Sequence, residues 1–164
     1  MGSISASGTG SAEPTAASAI SRAARLAAPL ALFLSLSGQA APVEIDVQVQ
    51  NLRNTNGVVR LCLTRDPAHF PNCDRDPAAV SRSVPARAAG SVRFTGLAPG
   101  TWALGVIHDE DGNGRLNTLM AIPREGFGFS RNPRLRMGPP RYEDVRFPVA
   151  GGRATLTVRM TYLL

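Results

Sequence analysis

The sequence predicts an all-β fold: a single antiparallel β-sandwich of six or seven strands, Ig-like in layout, with one long ordered loop. Residues 43–50 alternate strictly between apolar and polar side chains, which is the period of a half-buried strand. The chain has 16 glycines and 13 prolines, and many of them mark turns between short strand-like segments. No segment of the mature chain has a convincing helical period, so an antiparallel sandwich is the architecture that fits.

Seven short segments carry the strand pattern. The first is followed by Asn54-Thr55-Asn56-Gly57, whose Asn-Gly pair predicts a hairpin to the second. Ala98-Pro99-Gly100 has proline and glycine where a tight turn needs them, and it joins the fourth segment to the fifth. Ala150-Gly151-Gly152 predicts a closing hairpin between the last two segments. In chain order the segments are 43–50, 58–63, 79–84, 90–97, 101–107, 145–149 and 154–163.

Residues 116–140 form the long loop. Prolines and glycines recur through it, so a helix is not expected there. Unstructured connections of this length are uncommon in compact domains and usually serve a function. We predict that the loop is ordered and folds over one end of the sandwich, with Phe127 and Phe129 filling that end. The segment Gly126–Ser130 is not a phosphate loop, because a third glycine, a lysine and a following helix are all missing.

The N-terminal region predicts export. Arg22 and Arg25 precede an apolar segment, and small residues follow it where a signal peptidase would cleave before Ala41. The apolar segment is shorter than the ~20 residues that span a bilayer, which favours a signal peptide at 22–40 over a retained anchor. Residues 1–21 are then a disordered leader or follow a misassigned start, and residues 41–164 form one domain. The predicted location is periplasmic or secreted, with no transmembrane helix in the mature chain.

The charged residues restrict the classes of binding partner that we expect. All 18 basic residues are arginines and the net charge is +6, which we attribute to a GC-rich bacterial genome rather than to nucleic-acid binding. The arginines at 131–141 lack interleaved aromatic residues, so single-stranded nucleic acid is not the expected partner. They are candidates for binding an anionic envelope component or a small anionic ligand, and the alternative is a solvated loop that maintains solubility. The candidates are Arg131, Arg134, Arg136 and Arg141.

Cys62 and Cys73 are the two cysteines of the chain. In an exported protein this pair predicts a disulfide, since two thiols at this separation match no zinc spacing. The bridge would close a short loop and contribute about 2–3 kcal/mol to stability. The alternative is a pair of buried free thiols.

The richest candidate site follows the fifth segment, where oxygen-bearing side chains recur at alternate positions. This spacing, with glycines at 112 and 114, is typical of the first half of a calcium loop. The EF-hand position that needs a bidentate acid is Met120, so the acid must come from elsewhere, and Glu125 is the nearest candidate in sequence ahead of Asp76, Glu143 and Asp144. The alternative is a tight turn whose side chains bond their own backbone. The candidate calcium ligands are Asp109, Asp111, Asn113, Arg115 through its carbonyl, Asn117 and Glu125.

His108 raises an enzymatic alternative. A hydrolase or isomerase of a small metabolite would use His108, Asp109 and Glu125 in one open cleft. Neighbours along a strand point to opposite faces, so His108 and Asp109 cannot bond to each other as a base and its orienting acid. A serine nucleophile motif is also missing. We therefore predict a structural His108 and a non-catalytic binding or accessory module, with calcium as its one candidate cofactor.

Several motifs resemble known families. The segment 94–104 is similar to the strand–turn–strand of prealbumin-like and collagen-adhesin B-type domains. The segments 108–114, 122–130 and 138–140 resemble an exported bacterial family known as domain of unknown function 2141, and the likeness covers essentially the whole mature chain. This chain has Asp111 and Asn117 where that family usually has Asn and Asp, which moves charge but keeps the number of ligands. The resemblance implies a prealbumin-like β-sandwich and export. It implies nothing about activity, since the family has no assigned one.

Overall fold

A computed structural model describes residues 43–136 and 138–164, so the predicted leader and signal peptide lie outside the described residues. Within these ranges no helix is long and apolar enough to cross a membrane. The described residues form ten strands and one four-residue α-helix, which are β1 (Val43–Gln50), β2 (Val58–Thr64), β3 (Val80–Pro85), β4 (Val92–Leu97), β5 (Gly100–Asp109), β6 (Thr118–Leu119), β7 (Ile122–Pro123), β8 (Gly126–Phe129), α1 (Tyr142–Val145), β9 (Phe147–Val149) and β10 (Arg153–Arg159). They also form three short 3-10 helices, at Pro67–His69, Cys73–Arg75 and Ala86–Ala88.

Two sheets make up the sandwich. The first has the strand order β10-β1-β4, and the second has the order β3-β2-β5-β8 with β9 added along β5. β6 and β7 form a separate two-stranded hairpin. The all-β prediction is confirmed, and a strand lies in each of the seven predicted segments. The count rises to ten because three short strands lie within the predicted long loop.

The predicted hairpins at the two ends of the domain are wrong. β1 and β2 lie in different sheets, and so do β9 and β10. Each of these turns carries the chain across to the other layer, where both strands can bury an apolar face against the same core. β1 pairs instead with β4 in antiparallel fashion and with β10 in parallel fashion. The sandwich is therefore antiparallel except along this one pair.

The core lies between the two sheets. Val43, Ile45 and Val47 of β1 are fully buried, as the alternation requires. Phe94 of β4 and Leu104 of β5 are fully buried in the same cluster. Burial of a side chain of this size contributes about 1.5–3 kcal/mol. This packing fixes β5, whose last residues begin the candidate site.

A four-residue strand, β8, lies in the middle of the long loop. β8 pairs with β5, which places Phe127 opposite Ile107 and Phe129 opposite Gly105. Both phenylalanines are buried in a separate cluster with Ala103, on the face of β5 that points away from the main core. The loop contains β6, β7 and β8, but its phenylalanines cover the outer face of the second sheet and do not fill the end of the sandwich.

Gly126 and Gly128 allow close packing against β8. A Cβ atom on Gly126 would lie 2.4 Å from Tyr162 Cε1. One on Gly128 would lie 2.7 Å from Val158 Cγ1. The missing side chains let the C-terminal segment lie directly against β8.

The predicted disulfide is present. Cys62 in β2 is bonded to Cys73, and their Cα atoms are 6.3 Å apart. The bridge closes the loop between β2 and β3 against the second sheet.

Candidate functional site

His108 and Asp109 end β5 on opposite faces, as strand geometry predicts. His108 is fully buried, with Nδ1 2.8 Å from the Tyr162 hydroxyl and Nε2 2.8 Å from the Asn56 carbonyl oxygen. A carbonyl oxygen can only accept, so Nε2 carries the proton. Burial raises the pKa of Tyr162, whose hydroxyl also accepts from the Arg53 N–H at 3.2 Å. These contacts join β5 to the turn after β1 and to the C-terminal segment.

Asp109 closes the following loop on itself. Its Oδ2 accepts from Arg60 Nε at 2.7 Å and from the Gly114 N–H at 2.9 Å, and its Oδ1 accepts from the Asn113 N–H at 3.0 Å. Burial by itself would raise the pKa of Asp109, but the hydrogen bonds from Arg60 and from the two backbone N–H groups outweigh it. The pKa is lowered, and Asp109 is a carboxylate at neutral pH.

The exposed rim of the loop is a network of side chains. Asp111 Oδ2 accepts from Asn113 Nδ2 at 2.9 Å and from Asn117 Nδ2 at 2.8 Å. Asn113 Nδ2 also donates to Asn117 Oδ1 at 2.8 Å. These are the bonds of a self-bonded turn, which was the alternative to a calcium loop. They also hold three side chains of the ligand type next to one another.

Glu125 folds back onto this loop. The residue is 4% exposed, and its carboxylate accepts from the Glu110 N–H at 2.9 Å and from the Asn117 N–H at 2.8 Å. One carboxylate oxygen from each of Asp109, Asp111 and Glu125 lies within 4.8 Å of the other two. Met120 at the EF-hand acid position is 91% exposed, and the third carboxylate beside Asp109 and Asp111 is that of Glu125.

The other acids considered for the missing ligand are engaged elsewhere. Asp76 accepts from the Thr64 hydroxyl and from the Ala78 N–H. Glu143 and Asp144 form ion pairs with arginines at positions 146 and 141. Among the described residues, Glu125 is the one candidate of these four that joins the carboxylates of the loop.

The donor set suits a hard cation. Calcium is bound by six to eight oxygen atoms from carboxylates, amides and backbone carbonyls. The three carboxylates lie beside the amides of Asn113 and Asn117 and the backbone of Arg115, so the oxygen types fit. The cluster contains no imidazole or thiolate, which are the ligands that zinc and copper favour.

The sequence pattern did not identify Glu110 and its partners as part of the candidate site. Arg53 contacts both Glu110 oxygens, at 2.8 and 2.7 Å, and Asn54 Nδ2 donates at 2.9 Å. The Arg53 hydrogen bond holds the pKa of Glu110 below its usual range. Arg60 was missed as well, although its outward position on a strand was readable from the alternation. A long-range partner depends on strand register, which the sequence pattern did not reveal.

The residues of the enzymatic alternative are closed to solvent. His108 and Asp109 are 0% exposed and Glu125 is 4% exposed, and each is bonded to backbone groups. An open cleft shared by the three side chains is therefore not formed in the structure. The absence of catalysis nevertheless stays a prediction.

The four candidate arginines lie around one depression of about 760 Å³. Glu143 and Asp144 lie on its wall as well. Arg141 Nε is 3.4 Å from Asp144 Oδ2, and its hydrogen bond lowers the pKa of Asp144. Arg131, Arg134 and Arg136 form no ion pair with any of the described residues. The depression carries more positive than negative groups, four against two.

Comparison with known proteins identifies the family of the chain but assigns it no activity. No curated protein and no solved structure matches the chain, so the prealbumin-like likeness is a matter of sequence motif alone. A family model matches residues 47–157, a range that includes the 109–117 loop, Glu125 and the arginine-lined depression. The chain therefore belongs to the family DUF2141, described as an uncharacterized protein conserved in bacteria.

Proposed function

We propose that this chain is an exported, non-catalytic binding or accessory module whose 109–117 loop binds calcium and is stabilised by it. The observation that supports the proposal is the approach of the Asp109, Asp111 and Glu125 carboxylates to within 4.8 Å. Carboxylates at this distance repel one another, and Arg60 offsets only part of that charge through Asp109. A divalent cation among them would remove the repulsion.

The spacing of the oxygens supports calcium. Calcium lies about 2.3–2.6 Å from each ligand, so two ligands of one ion are at most about 5 Å apart. The separation of the three carboxylates meets this limit without any movement of the backbone. Magnesium lies about 2.0–2.1 Å from its ligands, so two of its ligands are at most about 4.2 Å apart, and carboxylate oxygens up to 4.8 Å apart suit calcium better.

Binding would require the rotation of two side-chain amides. Asn113 and Asn117 both direct Nδ2 toward Asp111 Oδ2, and a cation would replace these contacts. Rotation about the last side-chain bond of each asparagine exchanges that donor for its oxygen. The backbone stays in place, because the Asn117 N–H remains bonded to Glu125.

Calorimetric titration with calcium tests this proposal. Binding should release or absorb heat in the titration. A ligand at ten times its dissociation constant stabilises the folded state by about 1.4 kcal/mol, so the melting temperature should also rise when calcium is added. Asp111→Asn should abolish both signals, since it removes one ligand charge. The fold should persist, because Asp111 is exposed and bonds only within the loop.

Asp74→Asn is the matched control. Asp74 is an exposed acid in another loop, and its substitution should leave the calcium response unchanged. A wild-type chain that gives no heat and no thermal shift in about 10 mM calcium, ten times the weakest dissociation constant expected of such a site, would overturn the calcium proposal. The self-bonded turn would then account for the loop.

The arginine-lined depression favours a second candidate function, which is the binding of a phosphate-bearing envelope component or small anion. Its support is the convergence of Arg131, Arg134, Arg136 and Arg141 on one concave surface. Guanidinium groups bind phosphate in a bidentate fashion, and three of these four carry no ion pair among the described residues.

Titration with inorganic phosphate and with phospholipid vesicles tests this candidate. Arg134→Gln/Arg136→Gln should weaken binding, and the wild-type affinity should fall as salt is added. The matched control is Arg82→Gln/Arg87→Gln, since both arginines are exposed and lie away from the depression. Equal losses in the two double variants would show a general charge effect and would reject the site.

A further inference from the structure

The β6–β7 hairpin presents an apolar tip to solvent. Leu119 pairs with Ile122 across the hairpin, and Met120 and Ala121 form its two-residue turn. Leu119, Met120 and Ile122 are 53%, 91% and 44% exposed. The tip thus holds three of the five large apolar side chains that are exposed among the described residues. A contiguous exposed apolar surface of this kind is typical of a site that binds a partner.

The turn holds Met120 outward in an unfavourable backbone conformation. Met120 has φ of 48° and Ala121 has φ of 63°. Positive φ at both central residues is the conformation of a type I′ turn, which asparagine and glycine adopt readily. A bulky residue with positive φ is a genuine outlier, and such outliers cluster at functional positions. Asparagine and glycine would stabilise this turn but would remove its apolar surface.

The hairpin is anchored at its base to the carboxylate cluster. The Arg124 N–H donates to the Asn117 carbonyl oxygen at 2.9 Å, which ties the two strands together just before β6 and after β7. Glu125 then holds the Asn117 N–H at 2.8 Å. Arg115 and Arg124, both exposed, border the hairpin along the chain. The tip is therefore an apolar projection on a rigid base, with a positive charge on either side in sequence.

We propose that this tip inserts into the interfacial region of an anionic lipid bilayer. Two-residue strands and a turn extend about 7–10 Å, which matches the ~5–10 Å depth that apolar groups reach at a membrane interface. Arg115 and Arg124 complement the negative headgroups of such a surface. The tip is convex and narrow, which suits insertion among lipid chains better than burial in a broad protein interface. Calcium in the neighbouring loop is not required.

Co-sedimentation with lipid vesicles in the presence of a chelator tests the proposal. The chain without the predicted signal peptide, residues 41–164, should bind vesicles of phosphatidylglycerol and phosphatidylcholine more tightly than vesicles of phosphatidylcholine alone. Met120→Asn/Ala121→Gly should weaken binding by about tenfold or more, because an inserted Met side chain is lost. Its melting temperature should be unchanged or higher, because the turn is relieved. Arg115→Gln and Arg124→Gln should each weaken binding to anionic vesicles by roughly fivefold.

Leu163→Ser/Leu164→Ser is the matched control. Both leucines are 52% exposed, so this variant removes a comparable apolar area elsewhere and should bind vesicles like the wild type. Equal binding by wild type and Met120→Asn/Ala121→Gly would overturn the proposal, as would wild-type binding to neither kind of vesicle. A wild-type dimer that the turn variant makes monomeric, without vesicle binding, would identify a second copy as the partner instead. A failure of calcium binding would leave these outcomes unchanged, because the assay contains a chelator.

Discussion

Replacement of Glu125 tests how the candidate site is held together. Its two carboxylate oxygens accept from the Glu110 and Asn117 N–H groups, which lie on opposite sides of the 109–117 loop. Glu125→Ala removes both bonds and leaves two backbone donors without their partners. Glu125→Gln keeps one acceptor oxygen but turns an N–H₂ group toward the second donor. Glu125→Ala therefore removes two hydrogen bonds, and Glu125→Gln removes one.

The magnitude follows from these contacts. A hydrogen bond to a charged group contributes about 1.5–3 kcal/mol when it is well buried. Glu125 is 4% exposed, but Glu110 and Asn117 are only half-buried, so water recovers part of the loss. We expect Glu125→Ala to lower the free energy of unfolding by about 2–4 kcal/mol and Glu125→Gln by about half as much.

Urea denaturation with a chelator present measures both values without any contribution from metal. Glu44→Gln is the control, since Glu44 is half-exposed and forms a surface ion pair with Arg153. Such a pair contributes at most about 1 kcal/mol. If Glu125→Ala costs no more than Glu44→Gln, then Glu125 does not hold the loop and the structural reasoning about the site fails.

Three further substitutions test other parts of the fold. Gly126→Ala should cost about 1–3 kcal/mol of stability in urea denaturation, because its Cβ would lie 2.4 Å from the Tyr162 ring, and a neutral effect would contradict this packing. The lowered pKa of Asp109 means that its contribution to stability is complete above its ordinary pKa of about 4 and is lost as pH falls through the lowered value. Asp109→Asn should therefore flatten the dependence of unfolding free energy on pH below about 4, and an unchanged slope would contradict the assignment. Cys62→Ser/Cys73→Ser should lower stability by about 2–3 kcal/mol, with no further loss when reductant is added.

The strands were predictable from sequence, but several of their partners were not. The alternation in β1 identifies a half-buried strand because Val43, Ile45 and Val47 must face one side. The same pattern is satisfied whether the next strand lies beside β1 or across the core from it. The Asn-Gly pair favoured a hairpin, yet Gly57 adopts φ of 63° in a connection between sheets. A turn residue reports local backbone conformation, whereas pairing depends on how all the apolar faces are buried together.

The candidate site was predictable where its chemistry is local. Asp109, Asp111 and Asn113 lie within one short loop, so their spacing in sequence nearly fixes their spacing in space. Glu125 was a harder case, because its return to the loop depends on the pairing of β8 with β5. Arg60 could not be placed, because its contact with Asp109 depends on the register between β2 and β5. Residues recruited across strands become visible only once the sheet is assembled.

The hydrogen bonds of the loop determine the affinity that we expect for the proposed calcium site. The backbone N–H groups that bind Asp109 and Glu125 fix both carboxylates before any cation arrives, so little ordering remains to oppose binding. Asp109, however, already accepts three hydrogen bonds and has about four lone-pair positions in all. Arg60 is one of those donors and competes with a cation by charge. This balance favours a dissociation constant of about 10⁻⁴–10⁻³ M, which is the range of calcium sites that stabilise extracellular modules.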